Sequence, residues 1–282
     1  MMRLKLRHES GFHYKGVIHT SYNEARLLPG DHAGQTVLSS RLSIRPRAGQ
    51  YGYIDYFNTP VTHFEILTSH TELWVEATAL VENDRGEPRQ AEIAPWSELP
   101  ELAGSTAKLV EYGQQTRRTR PPAEVADLAA AARREEPDPA AAAVRICREI
   151  RDHVEYVKGV TGVNSTAEEA WGQHRGVCQD ITHIALGALR AAGIPARYVS
   201  GYLHPDAEPA VGVTAAGEMH AWIEFFTGHW LGFDPTNRSY IGDRHILVAR
   251  GRDYDDIAPI RGVVNGEGES EMFVKVELTR VA

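Results

Sequence analysis

Apolar and polar residues alternate with a period of two through much of residues 4 to 83, and a period near 3.6 takes over in two later stretches. Pattern alone therefore divides the chain. In the first part, runs rich in β-branched and aromatic residues are separated by turn chemistry in "LLPGDHAGQ" (27–35), "RPRAGQYG" (45–52) and "DYFNTP" (55–60). Short antiparallel strands at this spacing predict an all-β, sandwich-like module over residues 1–83. The clearest hairpin is "THFEILTSHTELWVEATALVE" (62–82), two alternating arms on either side of Ser69 and His70.

Residues 84–139 read as a linker and the first helices. Pro121 and Pro122 open one helix, "EEPDP" (135–139) ends it, and a second begins near Ala140. Cys147 falls in that second helix's apolar stripe with Val144, Ile146, Ile150 and Val154, the position of a buried thiol. Residues 140–282 form the third unit, whose final strands can return to the N-terminal part.

After Cys178 the apolar residues Ile181, Ile184, Ala185, Ala188, Leu189 and Ala192 repeat at helical spacing on one face. Gly193 stops the helix and Pro195 prevents its return. Cys178 therefore sits at a helix N-terminus, with Gly176 allowing the turn before it. Free N–H groups and the positive end of the helix dipole favour a thiolate there and can hold an oxyanion. A capping or buried thiol is the alternative.

Partners for a nucleophile lie further on. "EMHAWIEFFTGHWLGFDPTN" (218–237) predicts a hairpin in which His220, Trp222 and Glu224 share a face of the first arm, and Trp230, Gly232 and Asp234 share one in the second. A loop of Phe226 to Gly228 pairs residue 225 with 229 and sets His220 opposite Asp234. A histidine backed by a carboxylate is the base that a sulfur nucleophile needs. Read singly, His220 is equally a satisfied core histidine and Asp234 the start of a turn.

Charge and composition remove other classes. The formal net charge is -8, from 30 Lys and Arg against 38 Asp and Glu, and the basic residues are scattered apart from "RRTR" (117–120), which leaves no nucleic-acid footprint. No run of eighteen apolar residues and no signal-peptide h-region is present, so the expectation is a cytoplasmic protein with no membrane partner. Both cysteines are read as free thiols. His8, His13, His19, His32, His63 and His70 lack metal-ligand spacing.

The blocks "GVNSTAEEAWGQHRGVCQDITHIALGALRAAGIPARYVSGYL", "EMHAWIEF", "WLGFDPTN" and "HILVARGRDYDDIAPIRGVVNGEGESEMFVKVEL" together resemble the transglutaminase-like cysteine enzyme superfamily, in its bacterial branch with an N-terminal β module. "YNEARLLP" and "DYFNTPVTHFEI" are similar to that module, so the resemblance spans nearly the whole chain. It implies an α+β, papain-like core with the nucleophile helix on an antiparallel sheet. It also implies a Cys178, His220, Asp234 triad forming a thioester from a peptide or amide carbonyl, with no cofactor or metal. Water as acceptor gives a peptidase or amidase, favoured here over cross-linking, and an amine gives a transglutaminase.

Around the triad, Gln173 and His174 are candidate oxyanion donors, and Trp222 packs over the base, lines an acyl pocket or joins the core. Asp180 is a helix cap, and Arg252 and Asp253 are bracing residues. Three alternatives stand beside the favoured reading: a related fold that takes its acyl group from acyl-coenzyme A, a silent binding module, and a metal site built from Cys178, His183, His220 and Asp234.

Overall fold

The computed structural model describes residues 1–86 and 93–282; the remaining positions of the expected linker, 87–92, lie outside the described residues. Five strands come first: β1 (Met2–Ala25), β2 (Gln35–Arg45), β3 (Gly49–Ile54), β4 (Pro60–Ile66) and β5 (His70–Asn83). Four helices follow: α1 (Leu99–Gly104), α2 (Ala107–Tyr112), α3 (Ala123–Glu135) and α4 (Pro139–His153). Next come β6 (Glu155–Tyr156), α5 (Ala167–Gln173), β7 (Arg175–Gly176) and α6 (Cys178–Ala191). The chain then runs through β8 (Ala196–Leu203), β9 (Thr214–Phe226), β10 (Trp230–Asp234), β11 (Ser239–Tyr240) and β12 (His245–Gly251). It ends with α7 (Tyr254–Ile257), β13 (Ile260–Gly266) and β14 (Ser270–Arg280).

Among the described residues, twelve strands form one antiparallel sheet whose spine is β1. On one side β1 pairs β14 along Leu4–Tyr14 and β13 along Ile18–Ala25; on the other it pairs β5 along Met2–His13 and β4 along Ser21–Ala25. This arrangement corrects the expected hairpin around Ser69 and His70. A strand of 24 residues offers an edge long enough for β4 and β5 to follow one another along it, so they pair with β1 and not with each other. β13 and β14, the last two strands, lie along β1, the first.

Helices cover the other end of the sheet around α6. Pro122 precedes α3, and Asp138 caps α4 by accepting from the Ala141 N–H at 2.8 Å. Cys147 is fully buried in α4, and burial pushes its thiol well above the ordinary range. The α6 pattern predicts a single buried face, but Thr182, His183, Gly187 and Arg190 are buried as well as the apolar stripe. The reason lies in its neighbours. A Cβ on Gly187 would stand 2.0 Å from the Thr119 carbonyl oxygen, and the Arg190 guanidinium donates to the carbonyls of Tyr112, Ala196 and Arg252. Elements thus enclose α6 all round. Each of its fully buried Ile and Leu side chains contributes about 1.5–3 kcal/mol, which makes this helix a rigid support for whatever its first residue does.

β9 joins the two halves of the molecule. Its start, Thr214–Gly217, pairs β14, and Glu218–Phe225 pairs β8.

Candidate active site

Cys178 is the first residue of α6 and is half-buried. The turn that delivers it has no space for a side chain at Gly176, where a Cβ would lie 2.8 Å from the Asp180 Cβ. Asp180 holds the turn from inside: its Oδ2 accepts the Val177 N–H at 2.8 Å and the Thr161 hydroxyl at 2.7 Å. Its carboxyl is fully buried, and burial raises it above the usual carboxylate range. Among the described residues, the backbone N–H groups of Cys178 and Gln179 donate no hydrogen bond, leaving two donors open beside the sulfur.

His220 lies in β9 and Asp234 ends β10. The hairpin register differs from the expected one: Phe226 pairs Trp230, and the loop is Thr227 to His229. Gly228, at φ 95°, takes the middle of the loop instead of its end, so the arms are offset from the expected pairing. Asp234 consequently extends the register opposite Trp222, one diagonal step from His220. The offset keeps both side chains on one face because a strand repeats every two residues. His220 Nε2 stands 2.6 Å from Asp234 Oδ2.

Asp234 has no exposed surface and accepts further hydrogen bonds. The Asn237 side-chain amide donates to Oδ2 at 2.7 Å, and its backbone N–H to Oδ1 at 3.1 Å. His245, buried in β12, adds its Nε2 at 3.4 Å; its Nδ1 accepts from the Gly242 N–H, which assigns the proton to Nε2. Burial acts to raise the Asp234 carboxyl, but the hydrogen bonds from His220 and His245 outweigh it and hold the group well below the carboxylate range. For His220, burial acts downward and is outweighed by the hydrogen bonds to Asp234 and Cys178 and by their charges, so its value rises to about 10. The Cys178 thiol is thus among the groups that act on the ring. With Nε2 engaged by Asp234, Nδ1 is the nitrogen left to exchange a proton with sulfur.

Together these groups set a thiol near an imidazole backed by a carboxylate, with two open backbone amides at the same helix start. A cleft of about 370 Å³ opens on the His220 side of this group, lined by His220 and Asn237 with Tyr156, Leu203, Met219 and Lys158; Cys178 and Asp234 are not among the residues that line it.

The other candidate residues lie elsewhere. Gln173 and His174 are exposed and do not line the cleft; His174 closes α5 in the left-handed conformation with its Nδ1 2.6 Å from His153 Nε2. The αL cap turns that ring toward α4. Trp222 is fully buried with Val199 and Leu247, its ring centroid 6.2 Å from that of His220, so it packs beside the base and lines no part of the cleft. Room for it comes from Gly201, paired with His220, where a Cβ would stand 2.6 Å from the indole. Arg252 forms a two-point ion pair with Asp256, and Asp253 caps the short α7 by accepting from Asp255. His183 accepts from the Tyr254 N–H, and among the described residues no group of three or more His, Cys, Asp or Glu side chains is arranged to hold a metal ion.

His245, Asn237 and Tyr156 are absent from the sequence-level site. Asn237 had a signal, its place in "DPTN" three residues after Asp234. His245 had none, because its approach depends on the β12 to β8 pairing.

Comparison with known proteins agrees with this architecture. Residues 126–235 match the family model "Transglutaminase-like superfamily" and residues 4–82 match "Bacterial transglutaminase-like N-terminal region". A protein of Mycobacterium leprae described as uncharacterized is 41% identical over 282 residues, all of both chains. The crystal structure of a candidate cysteine protease from Cytophaga hutchinsonii superposes with a TM-score of 0.78 at 20% identity, covering 100% of this chain and 91% of that one, which shows a shared fold. A stretch of 80 residues is 34% identical to a protein-glutamine gamma-glutamyltransferase of Pseudomonas aeruginosa, covering 27% of this chain and 12% of that protein. With both family regions in their expected order and a full-length relative, the chain belongs to the transglutaminase-like superfamily, in the bacterial group whose N-terminal region precedes the core.

Proposed function

We propose that the protein is a thiol acyl-transfer enzyme acting on peptide or amide carbonyls, with Cys178 as nucleophile, His220 as proton shuttle and Asp234 as the group that orients and stabilises His220. The observation that carries this reading is the 2.6 Å His220 to Asp234 contact on a ring that also neighbours Cys178. His220 takes up the proton that the Cys178 thiol releases on attack. Sulfur attacks the carbonyl carbon, the carbonyl electron pair moves to oxygen, and the backbone N–H of Cys178 helps to hold that oxyanion. His220 then gives its proton to the departing amine and a thioester remains. Water, deprotonated by His220, releases the acid and restores the thiol.

Hydrolysis is the proposed outcome and amine transfer the lesser one, since the cleft is open to solvent. Incubation of the protein with short peptide amides, with and without a primary amine, tests this by mass spectrometry. The expected result is an acyl adduct on Cys178 that resolves mainly to free acid. Acylation of Cys178 from acetyl-coenzyme A but from no peptide amide contradicts it and favours the acyl-coenzyme A reading.

A further inference from the structure

The open backbone amides beside Cys178 raise the question of which side chain completes the oxyanion site, since Gln173 and His174 are exposed and the His174 ring is engaged by His153. Tyr156 belongs to β6, whose parallel partner β7 leads directly into the nucleophile turn. Tyr156 pairs with Gly176, two residues before Cys178, and the Val157 N–H donates to the Gly176 carbonyl at 3.0 Å. Backbone hydrogen bonds thus fix Tyr156 to the strand that delivers the nucleophile, and Gly176 adds no side chain between them. The phenol ring is half-buried against the main core together with Cys178, and it lines the cleft that contains His220. Its hydroxyl makes no hydrogen bond among the described residues. Burial pushes that hydroxyl up to about 12, with the charges of Cys178, Glu218 and Asp234 acting in the same direction. At neutral pH the hydroxyl keeps its proton and is available as a donor on the cleft side.

We infer that Tyr156 is a catalytic residue whose O–H donates to the carbonyl oxygen of the substrate as that oxygen becomes negative. The inference rests on the thiol acyl-transfer reading above. As the carbon–sulfur bond forms, the carbonyl π pair moves to oxygen and is met by the Tyr156 hydroxyl and the Cys178 amide. When the pair returns, the bond to the leaving group breaks and the leaving group departs with its electrons. Tyr156 keeps its proton throughout, so it contributes by hydrogen bonding alone.

The test compares two reactions of the same sulfur in wild type and Tyr156→Phe, mapped to Cys178 by mass spectrometry. Acylation by p-nitrophenyl acetate passes through an oxyanion and expels p-nitrophenolate; alkylation by iodoacetamide displaces iodide at a saturated carbon and forms none. The phenylalanine keeps the ring and its packing. We expect acylation to fall by about 10²-fold or more, the loss typical of one oxyanion donor, with alkylation within about twofold of wild type. Both rates unchanged would overturn the inference. An equal fall in both would also overturn it, since Tyr156 would then act on the thiol or the fold. A wild-type protein alkylated at Cys178 but not acylated there would overturn the acyl-transfer reading itself, and the role of Tyr156 with it.

Discussion

Cys178→Ala is expected to abolish acylation, lowering turnover of any amide or ester substrate by about 10⁶-fold, as removal of a nucleophile does in enzymes whose triad acts as a unit. The same variant should unfold within about 1 kcal/mol of wild type, because the residue is only half-buried and its sulfur leaves a small space at a helix entrance. Helix α6 is held by Ile181, Ile184, Leu186 and Leu189 and by the Asp180 to Val177 hydrogen bond, none of which the substitution touches. Circular dichroism and thermal denaturation read the fold, and hydrolysis of p-nitrophenyl acetate reads the chemistry. Loss of both together would make Cys178 a structural thiol.

Asp234 is where activity and stability separate least. Removing its carboxylate in Asp234→Ala leaves the buried Nε2–H of His245, the His220 ring and the Asn237 amide without their acceptor. Stranding a buried charge partner in this way costs about 3–5 kcal/mol. Asp234→Asn keeps shape and one acceptor oxygen, so it should fold, yet activity should fall by about 10⁴-fold because the amide no longer holds the imidazole in the productive tautomer or supports its charge. The pH dependence of stability has a defined sign. The His220 value is raised to about 10 in the folded state, above the ordinary ~6.5. Its contribution is therefore complete below about pH 6.5 and is lost as pH rises toward about 10. Asp234 is depressed, so its contribution is present above about pH 4 and is lost on acidification. Thermal melts of wild type should decline toward both limits, and Asp234→Asn should lose most of the alkaline decline. Equal alkaline slopes in the two proteins would contradict the assignment of that charge pair.

Which parts of this site were legible in sequence follows from how local each relation is. The placement of Cys178 needed only Gly176, one helical period and Gly193, all within a single segment. The shared face of His220 and Asp234 needed only strand parity, which survived an error in the loop because the offset preserved the face. Relations between distant segments were not readable. No local pattern reveals that β4 and β5 succeed one another along β1, since each alternates as a hairpin arm would. His245 reaches Asp234 only because β12 joins β8, and Tyr156 reaches the cleft only through a two-residue parallel pairing with β7. The burial of α6 on all sides was hidden for a related reason. Small and polar residues such as Thr182, Gly187 and Arg190 read as an exposed face until the surrounding carbonyls that receive Arg190 are known.

Activation of Cys178 by His220 is read by iodoacetamide labelling followed by intact-mass measurement and peptide mapping, in wild type and His220→Ala, across pH. The buried Cys147 serves as an internal reference that should stay unlabelled in the folded protein. Rapid labelling confined to Cys178 is expected in wild type and is lost in His220→Ala. Labelling of Cys178 at the same rate and with the same pH profile in both proteins would contradict it.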